Sequence, residues 1–428
     1  LNDLRAFIAI LFIFSLLISF FSTQNKIIAL IGDVQRKNGA FSYLSLILIW
    51  LVVSYFAEWS VEKKIRNSVL LTSLLVGLYG FVQSLGFDFI RWNNPYNRVI
   101  STLGNPNFSA AVMAIFVSFL FPYLFAKTLT SKQKAFLFTV VILLIYTIIQ
   151  TTARQGIIAL IVGLVAGGYF LFSSKFPRFK YLYIFASLIS GVLLILGMLQ
   201  KGPLATLVYK DSVSVRGFYW RAALKMFQNN PINGVGLDSY GFYFRKYREV
   251  EYPLRYGFDI TSTNAHNVVL QQFATGGLVL GTAYISLVIF TLFRAIKLIK
   301  GIRVYNISQV EFFIALFSGW LAFQAQSLIS IDNLGISIWG WIFSGLLVGL
   351  SYTKEIGGNG NPGLDSDGNS KIYLQPILSL ILLIPTLILV SFLYRVETFT
   401  FRVTSQLVNS QQLNSNQEEE LHFLLNSK

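Results

Sequence analysis

An all-α, polytopic membrane protein of about 11 transmembrane helices, with one long helical loop outside the bilayer, is the fold class that three observations predict. Hydrophobic residues make up 54% of the 428-residue chain and charged ones only 12%, with a mean hydropathy of +0.61. Apolar runs of roughly 17–25 residues recur along the chain, the length that crosses the hydrocarbon of a bilayer. Between two such runs lies a single polar insert, 201–267, which carries about a quarter of the lysines and arginines. Within lipid every backbone N–H and C=O must be paired inside its own segment, so these runs form helices and not open sheet. Cysteine is absent, which excludes disulfides and thiolate metal sites.

In chain order the predicted spans are 6–21, 40–57, 68–87, 107–126, 134–152, 156–174, 181–200, 268–293, 309–330, 335–352 and 374–394. Ala6–Phe21 lacks a small-residue cleavage site and reads as the first span rather than a signal peptide. Four regions follow: N-terminal helices over 1–200, the insert over 201–267, further helices over 268–394, and a polar tail over 395–428. Basic residues in short loops set orientation. Lys63, Lys64 and Arg66, then Lys127, Lys132 and Lys134, then Lys175, Arg178 and Lys180, then Arg294, Lys297, Lys300 and Arg303 mark one set of loops as cytoplasmic. The opposite short loops hold only Lys26, Arg36, Lys37, Arg91, Arg98 and Arg154, so the insert faces outward, its length exempting it from the charge rule. The net charge of +15 is thus a topological signal plus one basic loop. No nucleic-acid-binding motif accompanies it, and nucleic acid is not an expected partner.

Two short outward loops carry features beyond anchoring. In Asp88–Asn107, Arg91, Trp92, Tyr96 and Arg98 suit the headgroup belt, and Gly104-Asn105-Pro106-Asn107 reads as a turn followed by a helix N-cap. The sequence TTARQG, 151–156, places Arg154 between two apolar runs. A lone arginine there is costly unless it snorkels or faces a polar cavity, so it is either a turn anchor or a cationic ligand.

The insert divides into readable parts. Ser214–Gln228 predicts an amphipathic helix with Arg216 in its first turn and Arg221 and Lys225, four apart, on one face. Asn229-Asn230-Pro231 stops it, and Gly234 and Gly236 allow a sharp turn. Tyr240–Tyr256 predicts a helix lying on the membrane, Tyr and Phe toward lipid and Arg245, Lys246 and Arg248 toward headgroups or substrate. Glu249 and Glu251 are expected to partner Arg248 or Arg255. His266, one of two histidines, precedes Asn267 at the start of the next span and serves either as a cap or as a proton acceptor beside a basic pocket. Gly276, Gly277 and Gly281 suit close helix packing. Asp332 is expected to pair with an arginine of the insert. Asp365-Ser366-Asp367 lies in a glycine-rich linker and fails as a calcium loop, because Ser370 and Pro376 occupy the glycine and final acidic positions.

Several of these segments together resemble the O-antigen ligase and polymerase superfamily. They are Arg216-x-x-x-Trp220-x-x-Ala223-Leu224, Asn230-Pro231-x-x-Gly234-Val235-Gly236, and His266-Asn267-x-x-Leu270-Gln271 followed by Gly277 and Gly281. TTARQG and TLGNPNFSA resemble two of its earlier outer loops. The resemblance runs from about residue 85 to 350, and its strength lies in the order, spacing and membrane placement of the motifs. This chain departs from the family at Thr275, where an acidic residue is frequent, and at Val269, where an aromatic is.

The resemblance implies a GT-C-like membrane glycosyltransferase of the bacterial inner membrane, its site facing the periplasm. The implied reaction is metal-independent, inverting and free of cofactors. A glycan on an undecaprenyl-diphosphate carrier would pass to an outer acceptor such as lipid A-core. Arg154 and Arg216 carry over as diphosphate ligands and His266 as the base or acceptor-positioning residue. Arg221, Lys225, Arg91, Arg98, Arg245, Arg248 and Asn267 complete the expected substrate-binding set. The residue chemistry agrees. Guanidinium forks match phosphate oxygens and keep their charge, and histidine can accept a proton near neutral pH. The outward carboxylates Asp88, Asp211, Asp238, Glu249, Glu251, Asp259 and Asp332 contain no close Asp-x-Asp pair to hold a metal. Within the superfamily a polymerase or a protein O-oligosaccharyltransferase is the alternative. From another class, a lipid-linked glycan flippase would show internal repeats and a polar route across the bilayer, neither of which the sequence contains.

Overall fold

The computed structural model describes residues 3–33, 36–90, 98–198, 201–205, 211–301 and 305–356. Among these residues regular structure is helical. The helices are α1 (Leu4–Ser22), α2 (Lys26–Ile31), α3 (Ala40–Phe56), α4 (Glu62–Ser84), α5 (Pro106–Leu120), α6 (Ser131–Thr151), α7 (Arg154–Lys175) and α8 (Lys180–Met198). The insert adds α9 (Asp211–Asn229), α10 (Tyr240–Tyr247) and α11 (Glu251–Tyr256), and α12 (Val268–Lys300), α13 (Ile307–Ile329) and α14 (Leu334–Ile356) follow. Eight of these segments are long and apolar enough to cross a membrane; α3, with 17 residues, is shorter. The seventh predicted span is occupied by α8. The span at 374–394, the Asp365 linker and the polar tail lie outside the described residues. The described residues all fall within one compact unit, Leu1–Gly358.

Helix ends follow the local sequence. Asn105 caps α5 with Pro106 in its first turn, as the GNPN turn predicts. Reciprocal capping boxes start α6 at Thr130 and Gln133 and α13 at Asn306 and Gln309. The most enclosed element is α5, buried on all sides from Ser109 to Leu120, with α4, α6, α7 and α13 packed round it. Small residues permit these approaches: a Cβ on Gly163 would lie 2.4 Å from that of Ser118. Beside this group, α3 packs on α14 and α1, and α1 packs on α12.

The insert is built into the bundle through a break in α12. At Gly277 the backbone turns to φ 63°, ψ −158°, and the helix ladder is interrupted. The turn after α9 fills the gap. Val235 and Gly236 donate their amides to the carbonyls of Ala274 (2.9 Å) and Thr275 (3.0 Å), and the Leu278 amide donates to Pro231 (2.7 Å). Backbone groups freed by the kink are thereby satisfied inside the protein, the condition for irregular backbone in a segment apolar enough to span a membrane. The Asn-Pro-x-x-Gly-Val-Gly turn and the Gly276-Gly277 pair are therefore two halves of one joint. Glycine is required at 277, because a Cβ there would sit 2.1 Å from the Ile232 carbonyl oxygen.

The insert also has a core of its own: Phe218, Ala222, Ala223 and Met226 of α9 against Tyr240, Phe244, Tyr252 and Ala265. This corrects the expected surface helix over 240–256. It is two short helices separated at Arg248–Val250, and Tyr240, Phe244 and Tyr252 are buried against α9 rather than turned to lipid. Phe242, Val250 and Leu254 are the exposed large apolar residues of that stretch.

Candidate functional site at the insert end of the bundle

Four segments that the sequence scatters over 160 residues meet at the insert end. On α9, Arg216 and Tyr219 stand three residues apart and share a face. The Arg216 guanidinium donates to Gln155 Oε1 (3.1 Å), and Gln155 Nε2 donates to the Asn107 carbonyl (3.1 Å). The GNPN turn, the TTARQG loop and the second turn of α9 are thus joined by one hydrogen-bonded relay. Arg154 is the first residue of α7, next to Gln155, and is partly buried.

His266 faces the same place. Its backbone is left-handed, φ 53°, a conformation that a residue with a Cβ adopts only when its surroundings hold it there. Four hydrogen bonds do so. The His266 amide donates to Asn264 Oδ1 (2.9 Å), and the Ala265 amide donates to Gln271 Oε1 (2.9 Å). Asn267 caps α12 through the Leu270 amide and donates its Nδ2 to the Leu328 carbonyl (2.8 Å). The imidazole stacks on Tyr219, ring centres 5.3 Å apart and planes 27° from parallel. Burial, then the charges of Arg216 and Arg36, push its pKa down to about 3. The free imidazole is therefore neutral across the physiological range.

Arg36 is the residue that sequence reasoning missed. It sits between α2 and α3, in a short loop where a basic residue reads as an interfacial anchor. Its side chain is only 5% exposed and pairs with Asp238 (3.3 Å), with Asp33 further off (4.0 Å). It also donates to the Thr263 hydroxyl, and its Nε–H has no acceptor among the described residues. Burial raises the pKa of Asp238, and the Arg36 charge opposes that rise. No spacing rule links 36 to 238 or 263. Beneath the pair lies a polar cavity of about 10 Å³ lined by Asn38, Tyr43, Asp238, Asn264, Gln271 and Gln272, room for about one water.

The other predicted site residues are placed differently. Arg221 pairs with Glu249 (2.8 Å), so Glu249 holds α9 to the following segment instead of partnering Arg248 or Arg255. Arg248 donates to the carbonyls of Phe258 (3.3 Å) and Ile260 (3.2 Å) and closes that loop. Lys225, Arg245 and Arg98 are exposed, and Arg91 lies outside the described residues. Asp332 does not take an arginine of the insert. It accepts from Tyr43 Oη (2.9 Å) and the Ser337 hydroxyl, and burial raises its pKa. Uncharged donors suffice for a carboxyl held in so enclosed a place.

Residues 138–285 match the family model described as O-antigen ligase. The matched stretch takes in the TTARQG loop, Arg216, the Asn-Pro turn, His266 and the break at Gly277, and leaves out Arg36. No curated protein matches the chain.

Proposed function

We propose that this chain, a member of the O-antigen ligase superfamily, is a membrane glycosyltransferase that moves a glycan from an undecaprenyl-diphosphate carrier to an outer acceptor such as lipid A-core. The observation that carries the reading is the partly buried guanidinium of Arg216, held by a neutral amide and set beside the neutral His266. A cation whose hydrogen-bond partner among the described residues is a neutral amide keeps its field for a ligand, and a diphosphate matches the guanidinium fork. Arg154, one residue before Gln155 at the start of α7, is proposed as a second diphosphate ligand.

In the proposed reaction the acceptor hydroxyl oxygen attacks the anomeric carbon from the face opposite the diphosphate. The carbon–oxygen bond to phosphate breaks with inversion, and the hydroxyl proton passes to His266. Arg216 and Arg154 stabilise the charge that gathers on the departing diphosphate, the task that preorganised cations perform without a metal. Without a ligand, His266 is a weak base, first because it is buried and then because two guanidinium charges disfavour its protonation. A bound diphosphate offsets those charges and raises its basicity as the substrate arrives.

The orientation proposed from the loop charges puts this end in the periplasm and the protein in the inner membrane. Cysteine introduced at the exposed Lys246 should then react with an impermeant reagent in spheroplasts, and at Lys132 only after permeabilisation. The function itself is tested by transfer in vitro from a purified lipid-linked glycan to lipid A-core, protein and a second glycan, with excess chelator present. Transfer to lipid A-core supports a ligase. Transfer only to a second glycan or to protein makes the chain a polymerase or an oligosaccharyltransferase, and dependence on added Mg²⁺ overturns the arginine-based mechanism.

A further inference from the structure

Arg36 reaches the site from a part of the chain outside the matched family stretch, and it is spatially committed there. Its guanidinium spans Asp238, which follows the Gly234–Gly236 turn, and Thr263, three residues before His266. The Asp33 amide also donates to Asp238 (2.6 Å), so the first short loop grips the insert at two points. Both ends of that grip bear on strained backbone: Asp238 and His266 each have positive φ, 49° and 53°. The charged and titratable groups facing the imidazole are Arg216 and Tyr219 from α9 and Arg36 from the first loop. Asp238 stands behind Arg36.

We propose that Arg36 is a positioning residue for His266: by bridging Asp238 and Thr263 it locks the 263–266 turn against the first loop and lends that turn a fixed positive charge. The bridge needs a forked cation, because two acceptors on different segments must be held by one planar group. The fixed charge adds to burial and to Arg216 in keeping the imidazole uncharged until an anionic donor enters, so that proton acceptance waits on donor binding. This role rests on the proposed glycosyl transfer for its meaning, but Arg36's hold on His266 can be measured without any turnover.

The full chain in nanodiscs, with isotope-labelled histidine, carries only two histidines, and loss of one signal in His266→Gln assigns the other. Wild type, Arg36→Gln and Arg36→Lys are titrated by NMR and assayed for transfer across the same pH range. In Arg36→Gln the His266 midpoint should rise by about one pH unit, and the acid limb of the transfer profile should move up with it. Arg36→Lys keeps the charge and loses the bridge, so its midpoint should stay near wild type while turnover falls about tenfold. A wild-type His266 titration in Arg36→Gln would overturn the electrostatic role. Wild-type turnover in Arg36→Lys would overturn the bridging role, and that arm stands even if Arg36→Gln fails to fold. If the wild type transfers no glycan yet the midpoint shift appears, the functional reading fails and the Arg36–His266 coupling stands.

Discussion

The two ends of the bundle handle buried charge in opposite ways. At the end away from the insert, cations are spent on local partners. Arg5 holds Asp3 (2.7 Å) and lies over the Tyr55 ring, Arg66 pairs with Glu62 (2.5 Å) one turn away, and Arg294 donates to Ser351 (2.6 Å) and covers Tyr352. Asp3, hydrogen-bonded to Arg5, has its pKa held down to about 2. At the insert end burial dominates: Asp238 and Asp332 are pushed up, Arg216 and His266 are pushed down, and Arg216 bonds a neutral glutamine. Contacts of the first kind fasten helix ends to one another. Groups held against their preferred protonation cost stability, and such costs gather where chemistry is done.

Substitutions can break or sharpen this contrast. The largest effect is expected at His266→Ala, a loss of about 10²–10⁴-fold in transfer with the lipid-linked donor still binding. Arg216→Ala should lose roughly 10²–10³-fold, and Arg216→Lys should recover little of it. Wild-type rates in either variant, measured with saturating donor, would remove that residue from the mechanism and make the two ends equivalent.

A structural effect should follow at the joint. Gly277→Ala places a Cβ against the Ile232 carbonyl in a left-handed backbone and should destabilise the protein by about 2 kcal/mol or more, read as a lowered unfolding midpoint in detergent. An unchanged midpoint would mean that the turn does not fill the helix break.

A smaller effect is the pH response. The folded-state pKa of His266 lies below its ordinary 6.5, so the fold prefers the neutral ring. The stability linked to that preference is intact above about 6.5 and is lost as pH falls from there toward 3. His266→Gln should therefore show a shallower decline of stability over that window than wild type. A parallel decline would mean the ring is open to water. The smallest change is expected at the opposite end: Lys132→Ala, at an exposed position, should alter transfer by less than about twofold.

Much of this architecture was legible in one dimension. Apolar run length located the helices because lipid demands that each segment satisfy its own backbone. The cap at Asn105-Pro106 was readable because its hydrogen bond closes within a few residues, whereas the cap expected at His266 falls one residue later, on Asn267. Arg216 and His266 could be singled out because a cation and an imidazole are conspicuous among apolar flanks. The amphipathic pattern of Tyr240–Tyr256 misled, since an aromatic stripe looks the same whether it meets lipid or another helix. Here α9 supplied the other surface.

By itself the sequence determined the helical class, the segregation of basic loops and the presence of a basic, histidine-bearing insert. Each of these depends on composition or on contacts a few residues apart. Only the tertiary structure decided that Gln155 receives Arg216, that the Asn-Pro turn completes a broken α12, and that Arg36 crosses 202 positions to reach Asp238. Those pairings join segments whose separation leaves no periodic trace. They are set by which loops the packed helices deliver to the same end, where a buried charge must take whatever partner stands within reach.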